Sequence, residues 1–246
     1  IKKILSKFNI NLKKSILKKR GMEFYQSYYR LKKNKLPIID AKIALSNDYF
    51  TLNKKNKWIT NERSRKLSHL LRTKYDALLS TSKSINKDNP LLNCRIKGLE
   101  RKSPNLIILD RDLIIKKNLK IFKIKASRKI YICTTKNDKS KIKWLKKNNV
   151  RVLLYEKLKS TEDFKKLFNS LLKFSFSRIF IETGLTFINF LIKGKFINNI
   201  YLFQTNFNLN KNGFNNSSNR LLKKIKLKNK LKVFLNNDVV YLERLN

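Results

Sequence analysis

Lys42 lies inside a largely apolar run, Ile38 to Leu45 (IIDAKIAL), so a long cation is carried into or beside a core where an unpaired charge is costly. Four more residues seldom needed for packing alone follow at the ends of predicted elements. They are Trp58 in NKWIT, Arg72 in RSRKLSHLLRTKYDALL, and Asp88 and Arg95 in NKDNPLLNCR. A second candidate stretch is RIFIETGLTFINFLI: a β-branched strand ends at Glu182, Thr183 can cap, Gly184 allows close backbone approach, and a helix begins. Free N–H groups in the first turn of such a helix suit an anionic group. There is no GxGxxG fingerprint, which counts against an ordinary Rossmann dinucleotide domain. Each residue also has a purely structural explanation. Lys42 can reach water from a strand end, Trp58 can be core, Arg72 a solvated helix face, and Asp88-Asn89-Pro90 a turn.

The elements that must position these residues are short β-rich runs separated by amphipathic segments. The runs are Ile38 to Leu45, Ala77 to Leu79, Leu106 to Leu109, Ile130 to Cys133, Val150 to Tyr155, Arg178 to Ile181 and Ile200 to Phe203. Between them the spacing predicts helices from Thr60, as cap, through Leu71, over Lys139 to Lys147, and over Thr161 to Phe174 with Ser160 or Thr161 as cap. Strand, helix, strand repetition argues for an α/β fold with a largely parallel sheet covered on both faces. The runs Leu231 to Leu235 and Val239 to Leu242, separated by NND, predict a closing antiparallel hairpin. Asn206 to Arg220, rich in Asn, Ser and Gly, reads as a loop. Residues 1–35 form a basic, amphipathic appendage to a domain spanning 36–246.

The charge is extreme: 59 Lys and Arg against 16 Asp and Glu, a formal net charge of +43. Composition alone would point to nucleic acid or an anionic membrane surface. The lysines, however, occur on almost every predicted element rather than along one stripe, among abundant Asn and Ile, the pattern an AT-rich coding sequence produces. No RNA-binding aromatic motif, zinc finger or helix-turn-helix accompanies them, so no specific nucleic-acid partner is expected. A diffuse positive field would still attract phosphorylated ligands. Cys94 and Cys133 lie far apart and His69 is the only histidine, so neither a metal cluster nor a disulfide framework can be read. His69 reads as a helix-surface or packing residue. No apolar run reaches membrane-spanning length, and the expected setting is reducing and cytoplasmic.

From Leu36 onward, and most strongly over Ile39 to Arg95 and Arg178 to Phe190, the chain resembles the reductase domain of the bifunctional riboflavin-biosynthesis deaminase/reductase, of the dihydrofolate-reductase-like superfamily. The resemblance implies a three-layer α/β/α fold. It also implies an NADPH-dependent reductase that converts 5-amino-6-(5-phosphoribosylamino)uracil to its ribitylamino product. Lys42 and Glu182 match catalytic positions contacting the ribosyl chain of the substrate. Arg72 and Arg95 match the residues that bind the substrate and its phosphate, and Asn56 and Leu92 match further substrate contacts. Ala44, Trp58, Thr60, Ser84 and Asp88 match the cofactor site, with Arg111 a weaker match. The backbone of Gly184, Leu185, Thr186, Phe187, Ile188, Asn189 and Phe190 completes it. The family also implies a homodimer.

The chain departs from the family pattern at three places. The usual SLDG after the first strand is SNDYF, without its turn glycine; EGG is ETG; and the late AP is QTN at Gln204 to Asn206. Residues 1–35 resemble the tail of the family's deaminase domain, but the HxE and PCxxC-type zinc motifs are missing. No deaminase activity is expected in this chain, and a separate deaminase chain is a candidate partner. The competing reading is a noncatalytic, basic, nucleic-acid-binding remnant of such a domain.

Overall fold

The computed structural model describes residues 2–123, 128–218 and 225–246. Among these residues ten strands are formed: β1 (Ile38–Leu45), β2 (Phe50–Asn53), β3 (Ala77–Thr81), β4 (Asn105–Leu109), β5 (Ile130–Thr134), β6 (Val150–Leu154), β7 (Arg178–Glu182), β8 (Asn199–Gln204), β9 (Gly213–Asn216) and β10 (Val239–Arg244). Eight of them build one sheet in the order β10-β8-β1-β7-β3-β4-β5-β6, while β2 and β9 pair separately. Every pairing in the large sheet is parallel except β10 on β8. The seven apolar runs read from the sequence are seven of these strands, because a β-branched run buried on both faces leaves the backbone no better partner than its neighbour.

The helices are α1 (Lys2–Lys7), α2 (Lys18–Phe24), α3 (Gln26–Asn34), α4 (Glu62–Arg72), α5 (Ser82–Asp88), α6 (Lys120–Lys123), α7 (Lys139–Lys147), α8 (Thr161–Leu171) and α9 (Leu185–Lys193). Alternating strand residues feed two cores. Ile39, Ala41, Ile43, Leu79, Ile107 and Ile181 pack under α8 and α9. Leu78, Ile108, Phe180 and Phe203 pack with Leu71, Ile85 and Leu145 on the other face. The three layers expected from the pattern are therefore present. Helices α1 to α3 bury little; α3 has no buried residue. Contacts such as Arg30 Nη2 donating to Phe196 O at 3.0 Å and Asn169 Nδ2 donating to Lys35 O at 3.0 Å hold this segment to the domain.

Some local expectations are corrected. Helix α4 is capped by Asn61, whose side chain accepts from Ser64 N at 3.0 Å; Thr60 instead offers its carbonyl to Arg65 at 2.6 Å. Asn is as good a cap as Thr, and the sequence does not rank neighbouring caps. Helix α8 ends at Leu171, with a 3₁₀ turn over Leu172–Phe174, and starts at a capping box between Ser160 and Asp163. The predicted loop from Asn206 to Arg220 contains β9; its residues 219–220 lie outside the described ones. GFNN has no apolar alternation to announce a strand. The Leu231 to Leu235 run forms no strand; the residue before it, Lys230, makes an isolated bridge to Tyr241, and the antiparallel partner of β10 is β8. The NND turn does form, and Asp238 Oδ2 accepts from Asn61 N at 2.8 Å and Ser64 Oγ at 2.6 Å, docking it on the start of α4.

The turn after β1 keeps a glycine-like shape without glycine. Tyr49 has φ +67°, in the left-handed region. Asp48 anchors it by accepting from Ser46 Oγ at 2.6 Å, Leu209 N at 3.0 Å and Asn210 N at 2.8 Å, while Tyr49 O accepts from Ser217 N at 2.8 Å. The β2–β9 ribbon is thereby tied to the end of β1.

Candidate functional site

The site begins with a register. In the β1–β7 pair, Lys42 is the Cα partner of Glu182, and across β8 it is the partner of Tyr201. Strand alternation puts Asp40, Lys42 and Ala44 on the face away from Ile39, Ala41 and Ile43, so the Lys42 cation points toward α4 rather than into the α8–α9 core. Its Nζ lies 5.4 Å from the Phe203 ring centroid and, among the described residues, within ion-pair distance of no carboxylate. Burial pushes the Lys42 pKa down; the Glu182 charge works against this and those of Arg72 and Arg65 reinforce it, leaving it below the usual lysine value.

Glu182 is engaged elsewhere. Arg72, at the end of α4, binds it in a fork: Nε to Oε1 at 2.6 Å and Nη2 to Oε2 at 2.9 Å. Both side chains are nearly buried. Burial raises the Glu182 pKa, but the charge and hydrogen bonds of Arg72, with Lys42 adding to them, outweigh it and hold the carboxyl below its ordinary range. The solvated-face alternative for Arg72 therefore fails.

Arg72 Nη1 donates to Asn93 O at 2.7 Å, reaching the loop that carries Leu92 and Arg95. His69, one turn before Arg72, is 9% exposed and touches the same loop. Its Nδ1 is 2.9 Å from Asn93 O, and its Nε2 is 3.2 Å from Arg95 Nη2. Nδ1 also lies 3.2 Å from Arg95 N and 3.2 Å from Arg72 Nη1, so donors face both ring nitrogens while Asn93 O faces Nδ1 alone. A proton on Nδ1 goes to Asn93 O and leaves Nε2 to accept from Arg95, whereas a proton on Nε2 leaves Nδ1 to accept from Arg95 N. Burial, then the charges of Arg72 and Arg95, lower the His69 pKa to about 4. Arg128 contributes another cation: its guanidinium donates to the carbonyls of Leu91 and Leu92, where Leu92 has φ +52°. Burial and the charge of Arg72 lower its pKa to about 10. Arg72 and Lys42 act on the one carboxylate, Glu182, and Arg95 and Arg128 lie on or against the 91–95 loop that Arg72 reaches, which leaves an excess of positive charge suited to an anionic ligand.

On the opposite face of the same strand end lies a cleft of about 670 Å³. Its walls include Ser84, Arg111, Gly184, Thr186, Phe187 and Phe190, six residues expected to hold a cofactor. Thr81, Ser84 and Thr183 knit the ends of β3 and β7 together, with Thr183 Oγ1 at 3.0 Å from Thr81 Oγ1 and 3.2 Å from Ser84 Oγ. Consecutive residues at the end of β7 therefore divide the work: Glu182 faces the cationic pocket and Thr183 faces the cleft.

The remaining predicted residues are placed as follows. Asn56 and Asp88 are exposed, and Lys57 Nζ bridges the two loops to Asp88 O at 3.5 Å. Trp58 is 51% exposed, not core, with the Arg65 guanidinium 4.9 Å from its ring centroid. Thr60 and Leu92 are buried, and Ala44 is half-buried on β1. Leu185 and Ile188 point into the core, so their contribution to the cleft is limited to backbone. His69 and Arg128 went unrecognised as site residues. The i, i+3 spacing of His69 and Arg72 was a signal that they share a helix face; for Arg128 the sequence holds none. Among the described residues no cluster of His, Cys, Asp and Glu could hold a metal ion, and no helix is long and apolar enough to cross a membrane.

Comparison with known proteins places this geometry. The RibD C-terminal domain family matches residues 38–209. Riboflavin biosynthesis protein RibD of Aquifex aeolicus is 27% identical over 190 residues, 76% of this chain and 51% of that protein. The 5-amino-6-(5-phosphoribosylamino)uracil reductase of Buchnera aphidicola subsp. Acyrthosiphon pisum is 29% identical over 163 residues, 60% of this chain and 74% of that protein. The chain thus spans about half the length of the Aquifex relative. The structure of Acinetobacter baumannii RibD superposes with a TM-score of 0.75 at 19% identity, covering 98% of this chain and 67% of that one, a likeness of fold.

Proposed function

This chain belongs to the RibD C-terminal domain family, and on that premise we propose that it is an NADPH-dependent reductase converting 5-amino-6-(5-phosphoribosylamino)uracil to the ribitylamino product of riboflavin biosynthesis. The observation that carries the reading is the end of β7, where Glu182 faces a cationic pocket and Thr183 a dinucleotide-sized cleft, so that two ligands can meet at one strand end. Arg72 and Arg95 hold the phosphorylated ribosyl chain, with Asn56 and Leu92 beside them. Lys42 and Glu182 face the ribose.

The residues of the cleft fit a dinucleotide. Gly184 has φ −70°, and a Cβ there would meet only Ser84 Oγ at 3.9 Å, so neither backbone nor packing requires glycine. The bare backbone is instead open toward the cleft, and α9 has no side-chain cap on its first N–H groups. Gly184 to Phe190, Ser84 and Arg111 would hold the cofactor on this side; Ala44, Trp58, Thr60 and Asp88 would complete its site. When bound, NADPH supplies the hydride that reduces C1′ of the ribosyl group. Lys42 donates a hydrogen bond, and on ring opening a proton, to the ribosyl oxygen; its lowered pKa makes that transfer easier. Glu182 stays ionised against Arg72 and orients both the guanidinium and a ribosyl hydroxyl.

A homodimer and a separate deaminase chain belong to the same reading, and no deaminase role is assigned to this chain. The test is NADPH oxidation with purified protein and the ribosylaminouracil phosphate. Turnover with NADPH preferred over NADH is expected. A folded protein that binds neither NADPH nor substrate, and instead binds nucleic acid with a steep salt dependence, would overturn the reading in favour of the basic remnant.

A further inference from the structure

We infer that His69 is a positioning residue for anion binding: as a neutral imidazole it straps Arg95 to Arg72 and holds the otherwise exposed Arg95 guanidinium ready for the substrate phosphate. This rests on the substrate-side reading of Arg72 and Arg95 given above. The geometry is a continuous chain. With the proton on Nδ1, Arg95 Nη2 donates to His69 Nε2 at 3.2 Å, His69 Nδ1 donates to Asn93 O at 2.9 Å, and the same carbonyl accepts from Arg72 Nη1 at 2.7 Å; Nδ1 is also 3.2 Å from Arg95 N and 3.2 Å from Arg72 Nη1. Arg72 is in turn forked to Glu182. One imidazole therefore links α4, the loop after α5 and the end of β7.

The strap matters because, among the described residues, the Arg95 guanidinium has no other hydrogen-bond partner. It is exposed, and among the described residues no carboxylate lies within ion-pair distance. A free arginine side chain gives up rotamer entropy when it is immobilised by a ligand. Holding it beforehand removes part of that cost, and leaving it without a carboxylate keeps its charge available. The imidazole must be neutral, since a proton on Nε2 would turn the acceptor for Arg95 into a second donor facing it. Burial and two guanidiniums keep it so, and Asn93 O, the one acceptor among the described contacts of the ring, favours the proton on Nδ1 over the Arg95 N and Arg72 Nη1 donors that also face it. A residue kept only for packing would need none of these polar partners, and the apolar Leu70 and Leu71 beside it show that the helix accepts leucine.

The test uses ribose 5-phosphate binding by calorimetry on the full chain, which does not depend on turnover. His69→Leu should weaken binding about 10-fold, the change made by ~1.4 kcal/mol. His69→Gln, which can still accept from Arg95 and donate to Asn93 O, should recover part of it. In an Arg95→Ala background His69→Leu should have almost no further effect, because the group it positions is gone. Where turnover is measured, the loss should fall on KM and not on kcat. Wild-type protein that binds ribose 5-phosphate but does not reduce the ribosylaminouracil phosphate would sink the functional reading and leave the strap standing. Three results would overturn the strap: no ribose 5-phosphate affinity in the wild type, undiminished affinity in a folded His69→Leu variant, or a His69→Leu loss that adds in full to that of Arg95→Ala.

Discussion

Lys42 and Glu182 face each other as Cα partners across β1 and β7, yet Glu182 is bonded to Arg72, and among the described residues Lys42 has no carboxylate within ion-pair distance. The two residues therefore differ in what their loss does. Lys42→Ala should keep the fold, retain NADPH binding and lose most turnover. Glu182→Ala leaves the Arg72 guanidinium buried without its counter-charge, and should cost about 3 to 5 kcal/mol of stability as well as turnover. Denaturant titration of the two variants beside turnover assays checks this. Equal midpoints for both would mean that the ion pair is solvated.

The two arginines should separate in the same way. Arg95→Ala is expected to raise KM by roughly 10- to 100-fold, from loss of a charge-assisted contact of about 1.5 to 3 kcal/mol, with stability and NADPH affinity little changed. Arg72→Ala should raise KM and also lower the melting temperature, because Glu182 loses both of its hydrogen bonds. Parallel loss of cofactor and substrate affinity in Arg95→Ala would indicate a folding defect.

Tyr49 occupies a left-handed conformation that costs a non-glycine residue about 1 to 2 kcal/mol. Tyr49→Gly relieves this while adding unfolded-state entropy, so a net gain of roughly 0.5 to 1 kcal/mol is expected. The measurement is the urea midpoint. A loss instead of a gain would show that the Tyr49 ring contributes more through packing than its backbone costs.

Gly184→Ala meets only a 3.9 Å contact in the folded protein, so the melting temperature should stay the same within error. NADPH affinity should fall by about 10-fold if a ligand occupies the space above the glycine, a loss of ~1.4 kcal/mol. Unchanged affinity in fluorescence titration would remove the α9 N-terminus from the cofactor site.

The folded His69 pKa of about 4 lies below its ordinary value of 6.5. The unfolded chain therefore takes up a proton on His69 that the folded chain does not, at any pH between the two values. His69 thus contributes stability that is fully present above about pH 6.5 and is lost as pH falls toward about 4. Unfolding midpoints of wild type and His69→Gln, compared at pH 7 and pH 5, should converge at the lower pH. A constant gap would mean that His69 does not titrate differently on folding.

Much of the framework could be read from residue pattern alone. Ile38 to Leu45 is a strand over the predicted residues, and Lys139 to Lys147 a helix over the predicted residues, because apolar periodicity is a local property that burial on both sheet faces only strengthens. The charged residues worth following, Lys42, Arg72, Arg95 and Glu182, were legible because they stood where packing had no use for them. Their partners were not. That Glu182 would take Arg72 and leave Lys42 without an ion pair depends on where the end of α4 falls against β7, a separation of 110 residues that no local pattern encodes.

The same reason hid His69, whose polar contacts exist only because the loop carrying Asn93 and Arg95 folds back over its helix. It hid β9 as well: a polar strand whose register is set by Asp48 and by β2, not by alternation of its own. Strand and helix identity follow from short-range sterics and burial, which the sequence carries residue by residue. Which charge neutralises which is decided by long-range contacts in a low-dielectric site, and only the tertiary structure brings those groups together.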